Sequence, residues 1–171
     1  MAKLKKAVAY RRIERPNTRI SKYRKKSFVR ARPASKIVRY DMGNVSGNYN
    51  CTMSLISKQS FQLRHNSIES GRQSSNKVLE SAVGKNNYFL KIKVYPHHIL
   101  RENPLASGAG ADRMSTGMAR SFGKPIGIAA QVRKGQDIVM LKLDKQFIPQ
   151  GREALQKFIY KLPGSYSIQV T

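Results

Sequence analysis

The sequence predicts an α+β fold: a single compact domain with a mostly antiparallel sheet and two helices, preceded by a basic extended N-terminal arm. Three observations predict it. Strand-like and helix-like stretches follow one another without the regular alternation that builds a parallel sheet. The 171 residues are 40% hydrophobic, enough to bury one core and hardly enough for two domains. The charge is lopsided: of a net +24, residues 1–39 carry +14, with 15 Lys and Arg against the single acid Glu14.

The arm is assigned to residues 1–35 and the α+β domain to residues 36–171. Val8, Ile13, Ile20 and Val29 are scattered through the arm, and Pro16 and Pro33 interrupt any helix. Nothing there offsets the entropy of ordering the chain, so the arm is expected to order only against a partner. That partner is a polyanion, which Lys and Arg neutralise while aromatic rings stack on exposed bases. The candidate contacts are Tyr10, Arg11, Arg12, Arg19, Arg24, Lys25, Lys26, Arg30 and Arg32. A solubilising tail has the same composition. A transit peptide does too, although the apolar residues lack its amphipathic spacing.

In the domain, Ile37, Val38 and Tyr40 suggest a short strand ending at the turn-rich Asp41-Met42-Gly43-Asn44. Cys51, Met53 and Leu55 alternate with Thr52 and Ser54 as a half-buried strand. Ser57 is placed to cap a helix running toward Val83, with Phe61, Leu63, Ile68 and Leu79 as its apolar stripe and Gly84 to end it. Tyr88, Leu90, Ile92 and Val94 face one way along a strand, and Lys91 and Lys93 the other. Ile126, Ile128, Ala130 and Val132 alternate, and Gly135-Gln136 turns tightly into a partner strand with Ile138 and Met140. A helix over 151–161 buries Ala154, Leu155, Phe158 and Ile159 before Pro163-Gly164 stops it, and Tyr166, Ile168 and Val170 form a last strand.

Residues 96–125 break every periodic pattern, and five of the 12 glycines fall between 108 and 127. A loop this long inside a compact domain is functional or mobile. Its glycines allow close backbone approach to a ligand, and Arg101, Arg113, Arg120 and Lys124 can meet phosphates. A mobile surface insertion fits the spacing equally well.

Enzyme classes find little support. Gly108-Ala109-Gly110 lacks the third glycine of a dinucleotide fingerprint, because position 113 is Arg. Gly123-Lys124-Pro125 has Pro where a phosphate loop has Ser or Thr. The adjacent His97 and His98 point to opposite sides of an extended chain, and no Cys or carboxylate cluster completes a metal site. The lone Cys51 forms no internal disulfide and suits a small core hydrophobe. Glu102 and Asp112 each have an Arg nearby and suit ion pairs. Neither a membrane span nor a signal peptide is visible. No enzyme, cofactor or metal is therefore expected, and the location expected is cytoplasmic.

Three blocks resemble a known family: Val94-Tyr95-Pro96-His97-His98-Ile99-Leu100-Arg101-Glu102-Asn103-Pro104, Gly108-Ala109-Gly110-Ala111-Asp112-Arg113-Met114, and Phe122-Gly123-Lys124-Pro125-Ile126-Gly127. They are similar to the signature of the universal large-subunit ribosomal protein sixteen family, in its archaeal and eukaryotic (ten-e) branch. Tyr10-Arg11, Pro33, Lys36-Ile37, Asp41 to Asn44 and Ala130 to Gln136 extend the likeness over most of the chain. The resemblance implies a compact α+β protein docked late between ribosomal RNA helices near the aminoacyl-tRNA site. Its long loop would approach the peptidyl-transferase centre and help position tRNA, while the RNA performs the chemistry. By residue match that role falls on Arg101, Asn103, Ser107, Gly108, Gly110, Asp112, Arg113, Gly117, Arg120 and Lys124. Two departures stand out. Many relatives have Arg after the Met at 118, where this chain has Ala119 and then Arg120, and Arg30-Ala31-Arg32-Pro33 lacks a Gly often found before that Pro. The partners implied are large-subunit ribosomal RNA, tRNA and neighbouring ribosomal proteins, with no membrane and no homo-oligomer. The competing reading is a free RNA-binding assembly factor.

Overall fold

The structure, a computed structural model, describes residues 11–12, 23–26, 30, 32–102 and 123–171. Among these residues the chain forms β1 (Asp41–Gly43), β2 (Cys51–Ser57), β3 (Phe61–Arg64), α1 (His65–Ala82), β4 (Tyr88–Ile92) and β5 (His98–Glu102). Then follow β6 (Lys124–Val132), β7 (Asp137–Leu143), α2 (Ile148–Ile159) and β8 (Tyr166–Val170). The predicted α+β class holds, with two α-helices among the described residues and every strand pair antiparallel. The strands make two sheets, one of five in the order β1-β4-β7-β2-β8 and one of three in the order β3-β6-β5.

The core lies between the five-stranded sheet and the two helices. Met53, Leu55, Leu90, Leu141 and Leu143 are fully buried on it, together with Leu79 of α1 and Phe158 of α2. The helices meet where Gly71 of α1 passes the Phe158 ring. At Gly151 a β-carbon would stand 2.6 Å from Leu143 Cδ2 and 2.8 Å from Met53 Sδ, so the missing side chain lets α2 approach the sheet without displacing those two side-chain ends. Tyr88 is buried with its hydroxyl donating to Asn76 Oδ1 at 2.7 Å. Burial pushes that phenol up to about 12, with Glu80 adding to the effect.

β2, β4 and β8 fall where period two places them, and Cys51 is the small buried core residue expected. The expected strand at Ile37, Val38 and Tyr40 is displaced onto Asp41–Gly43, the segment read as its turn. Gly43 is the reason a ladder fits there: at φ +84°, it brings the backbone to where a β-carbon would lie 2.2 Å from the Tyr88 carbonyl oxygen. Ser57 caps no helix. It ends β2, its hydroxyl donates to the Gln59 carbonyl at 2.6 Å, and Phe61 and Leu63 belong to β3. The helix starts eight residues after Ser57, at His65, and Gly84 follows its end with φ +87° as expected. The second helix starts at Ile148 rather than 151, led in by a short 3-10 turn at Lys145–Phe147.

The predicted hairpin at Gly135-Gln136 is also corrected, since β6 and β7 belong to different sheets. β2 and β3 instead run alongside β7 and β6 as one bent ribbon. Partner numbers add to 193 in both Ile56↔Asp137 and Phe61↔Val132, so the register survives the bend. The bend is closed by Gly135 N–H to Ser57 O at 2.8 Å and Ser57 N–H to Gln136 O at 3.1 Å. No described helix is long and apolar enough to cross a membrane.

Candidate RNA interface

The three-stranded sheet carries the root of the glycine-rich segment. His98↔Ala129, Ile99↔Ile128 and Leu100↔Gly127 pair in one register, and Arg101↔Pro125 and Glu102↔Lys124 in a register shifted by one. The shift leaves Ile126 as the extra residue of a bulge. That is why Ile126 is 41% exposed although its alternation predicts burial. The bulge also corrects the reading of 96–125 as structureless, because His98–Glu102 and Lys124–Pro125 are strand. Arg101 and Lys124 thus flank the root, Lys124 exposed and Arg101 half-buried, with desolvation lowering the Arg101 pKa. Asn103, Ser107, Gly108, Gly110, Asp112, Arg113, Gly117 and Arg120 lie outside the described residues.

Part of the basic arm meets this sheet. On the open edge of β3, the Gln62 N–H donates to Arg11 O at 2.9 Å and the Gln62 Nε2 donates to Arg12 O. A carbonyl can only accept, so Gln62 must present Oε1 in the opposite direction, where it meets Nδ1 of buried His98. One side chain thereby joins the arm to β5 across the central strand. The Arg11 and Arg12 side chains stay exposed. Exposed as well are Lys25, Lys26, Arg30 and Arg32; Lys25 and Lys26 share a 3-10 turn at Arg24–Lys26, and Lys26 Nζ sits 5.2 Å over the Tyr23 ring. Tyr10 and Arg19 lie outside the described residues, as does the Arg24 side chain.

The chain from 32 to 39 is held by side chains rather than by a ladder, and Tyr40 joins the β1–β4 ladder by accepting from Ile92 N–H at 2.9 Å. Lys36 N–H donates to His65 Nδ1 at 3.2 Å, and Val38 N–H donates to Glu69 Oε2 at 3.3 Å. His65 and Glu69 are one turn apart on α1, so both face the same strip of chain. Arg72 grips the Glu69 carboxylate with two bonds, of 2.9 and 2.6 Å. That pairing, opposed by burial and helped by Val38 N–H, holds the Glu69 carboxyl below its ordinary value. Nearer the arm, Arg32 Nη2 donates to Tyr95 Oη at 3.1 Å and to the Pro96 carbonyl at 3.2 Å, its guanidinium 5.2 Å from the ring centroid. Gln62, His65, Glu69 and Tyr95 were not candidates on sequence. Only Tyr95 carries a local signal, an aromatic beside a proline at the point where the strand alternation ends.

His65 accepts from Lys36 N–H, so its proton sits on Nε2. Burial, then the nearby Lys36 and Arg64 charges, hold its pKa below the ordinary 6.5. Below pH 6.5 the unfolded chain takes up a proton that the folded ring resists, so stability falls as the solution is acidified. Thermal unfolding between pH 7 and 5 should therefore show a declining midpoint, with Glu69 still ionised. His65→Gln should flatten that decline, and an equal decline in the variant would clear His65 as its source.

A family model described as ribosomal protein L16p/L10e matches residues 17–169. The large ribosomal subunit protein uL16 of Methanococcus maripaludis is 45% identical over 168 residues, 98% of this chain and 94% of that protein. The protein of the same name from Staphylothermus marinus is 45% identical over 141 residues, 82% of this chain and 81% of its own length. The one from Thermofilum pendens is 41% identical over 141 residues, covering 82% and 84%.

Proposed function

The chain belongs to the L16p/L10e family of ribosomal proteins and is a structural, non-enzymatic constituent of the large ribosomal subunit; from that premise we propose how its two basic segments are used. Residues 1–35 act as an arm that binds large-subunit ribosomal RNA near the aminoacyl-tRNA site. Residues 96–125 act as a loop near the peptidyl-transferase centre that helps position tRNA. The domain from residue 36 onward holds both in register, and the protein works in the cytoplasm within the large subunit beside other ribosomal proteins.

The observation that carries this reading is the shared seat of the two segments. Arg11 and Arg12 are bonded through their backbones to β3 with their side chains exposed, and Glu102↔Lys124 closes the loop root on β5 and β6 of the same sheet. A three-stranded sheet is stiff, so it can hold an arm and a loop at a fixed separation. Phosphate contacts then set the orientation of the whole protein on RNA. The chemistry of peptide transfer stays with the RNA, and this chain supplies placement.

Sedimentation tests the reading. In low-magnesium gradients at moderate salt the protein should travel with the large subunit and with translating ribosomes. Recovery in the soluble fraction, or only on precursor particles, would favour a free assembly factor instead.

A further inference from the structure

Just ahead of β5, at the end of that strand away from the Glu102↔Lys124 root, lies a group of rings to which the arm-and-loop reading gives no role. Tyr40 and Tyr95 stack with centroids 5.5 Å apart and planes at 26°, and the His97 ring follows at 4.5 Å from Tyr95, tilted by 48°. Arg32 lies over the same Tyr95 ring. Tyr95 is 41% exposed and His97 is exposed, whereas Pro96 between them and Val94 and His98 on either side are buried. The alternation therefore holds two rings out toward solvent from a backbone that is itself fixed.

Arg32 is fixed too. Both of its bonds among the described residues leave from Nη2, so toward those residues the three N–H groups on Nε and Nη1 are open to a ligand. A guanidinium locked on an aromatic face meets an oxyanion at little entropic cost. From 30 to 40 the chain carries Arg30, Arg32, Lys36 and Arg39 and no acid, all four basic side chains being exposed. An exposed ring carried on an aromatic pair, beside an oriented cation in a segment without acids of its own, matches a nucleotide, whose base is flat and whose phosphate is negative.

We propose that Arg32, Tyr95 and His97 form a docking unit for one unpaired nucleotide of large-subunit ribosomal RNA, with the base stacked on His97 and the phosphate bound by Arg32. The proposal rests on the chain's seat on that RNA and adds a base-reading element where Arg32, near the end of the arm, meets Tyr95 and His97 at the start of the loop segment. Tyr95 positions the other two residues: its ring supports His97, and its face and hydroxyl orient Arg32.

The test uses the full-length chain and large subunits depleted of it by salt washing, with dissociation constants measured from 50 to 200 mM salt. His97→Ala should weaken rebinding roughly 5- to 150-fold, the range for one lost base–aromatic stack, without changing the salt slope. His97→Phe should restore most of the affinity, because any aromatic face can stack. Arg32→Gln should instead lower the slope of log affinity against log salt by about one. A benzophenone amino acid at position 97 should cross-link to a ribosomal RNA nucleotide. Wild-type affinity in His97→Ala, a loss that Phe does not repair, or a cross-link to a ribosomal protein would each overturn the proposal. If the wild-type chain itself failed to rebind, the seat on the subunit would be wrong, a result distinct from failure at position 97.

Discussion

Ribosomes carrying a deletion of residues 106–118 should contain a folded protein and translate poorly. The fold should survive because Glu102↔Lys124 already closes the ladder below the excised segment. Deletion shortens the connection 103–123 from 21 residues to eight. Loop closure then becomes easier by roughly 0.9 kcal/mol, so thermal unfolding of the isolated protein should hold or rise slightly. The functional effect should run the other way. A reacting end misplaced by ~1 Å can lose on the order of 10²-fold in rate. Peptide-bond formation after tRNA delivery should slow by up to that factor, or the subunits should stall late in maturation. Normal translation by ribosomes with the deletion would return the segment to the status of a surface insertion.

Charge removal from the arm should have a comparably large effect of another kind. If the arm and domain together meet six to ten phosphates, affinity for the subunit should fall by ~10³–10⁵ between 50 and 200 mM salt. Replacing Arg11, Arg12, Arg24, Lys25 and Lys26 with Gln should lower the slope by roughly 0.7–0.9 for each residue that neutralises a phosphate. Arg11 and Arg12 should contribute clearly, because the Gln62 bonds use their carbonyls and leave the guanidinium groups exposed. The variant should keep its thermal midpoint, since all of the described side chains among the five are exposed. An unchanged slope would identify the arm as a solubilising tail.

The arm also shows where sequence reasoning stopped short. Residues 1–35 offer no apolar periodicity, so nothing in them points to contact with their own domain. Yet Arg11 and Arg12 lie on the β3 edge, and Arg32 lies on Tyr95. These contacts use backbone carbonyls and a ring face, groups that hydrophobic patterning does not register. The same holds for Ile37 and Val38. The pattern offered them as strand, but the amides at 36 and 38 bond to His65 and Glu69 of α1. A backbone N–H takes whichever acceptor the fold brings near, and here the acceptors are about 30 positions away in the chain.

By itself the sequence determined that this is a basic α+β protein for a polyanion, with half-buried strands at 51–55 and 88–95, a helix near the C-terminus, and a long glycine-rich segment. Those features follow from composition and from periods of two and 3.6, which report how many faces of an element are buried. The blocks around that segment also carried the family resemblance, because they are contiguous runs. Only the tertiary structure decided that β6 and β7 part into separate sheets, that one bulge turns Ile126 outward, and that Gln62 and Tyr95 hold the arm. Periodicity names a buried face but not what buries it. Pairing partners, bulges and polar tethers depend on which distant segment arrives at that face, and that is settled when the layers pack.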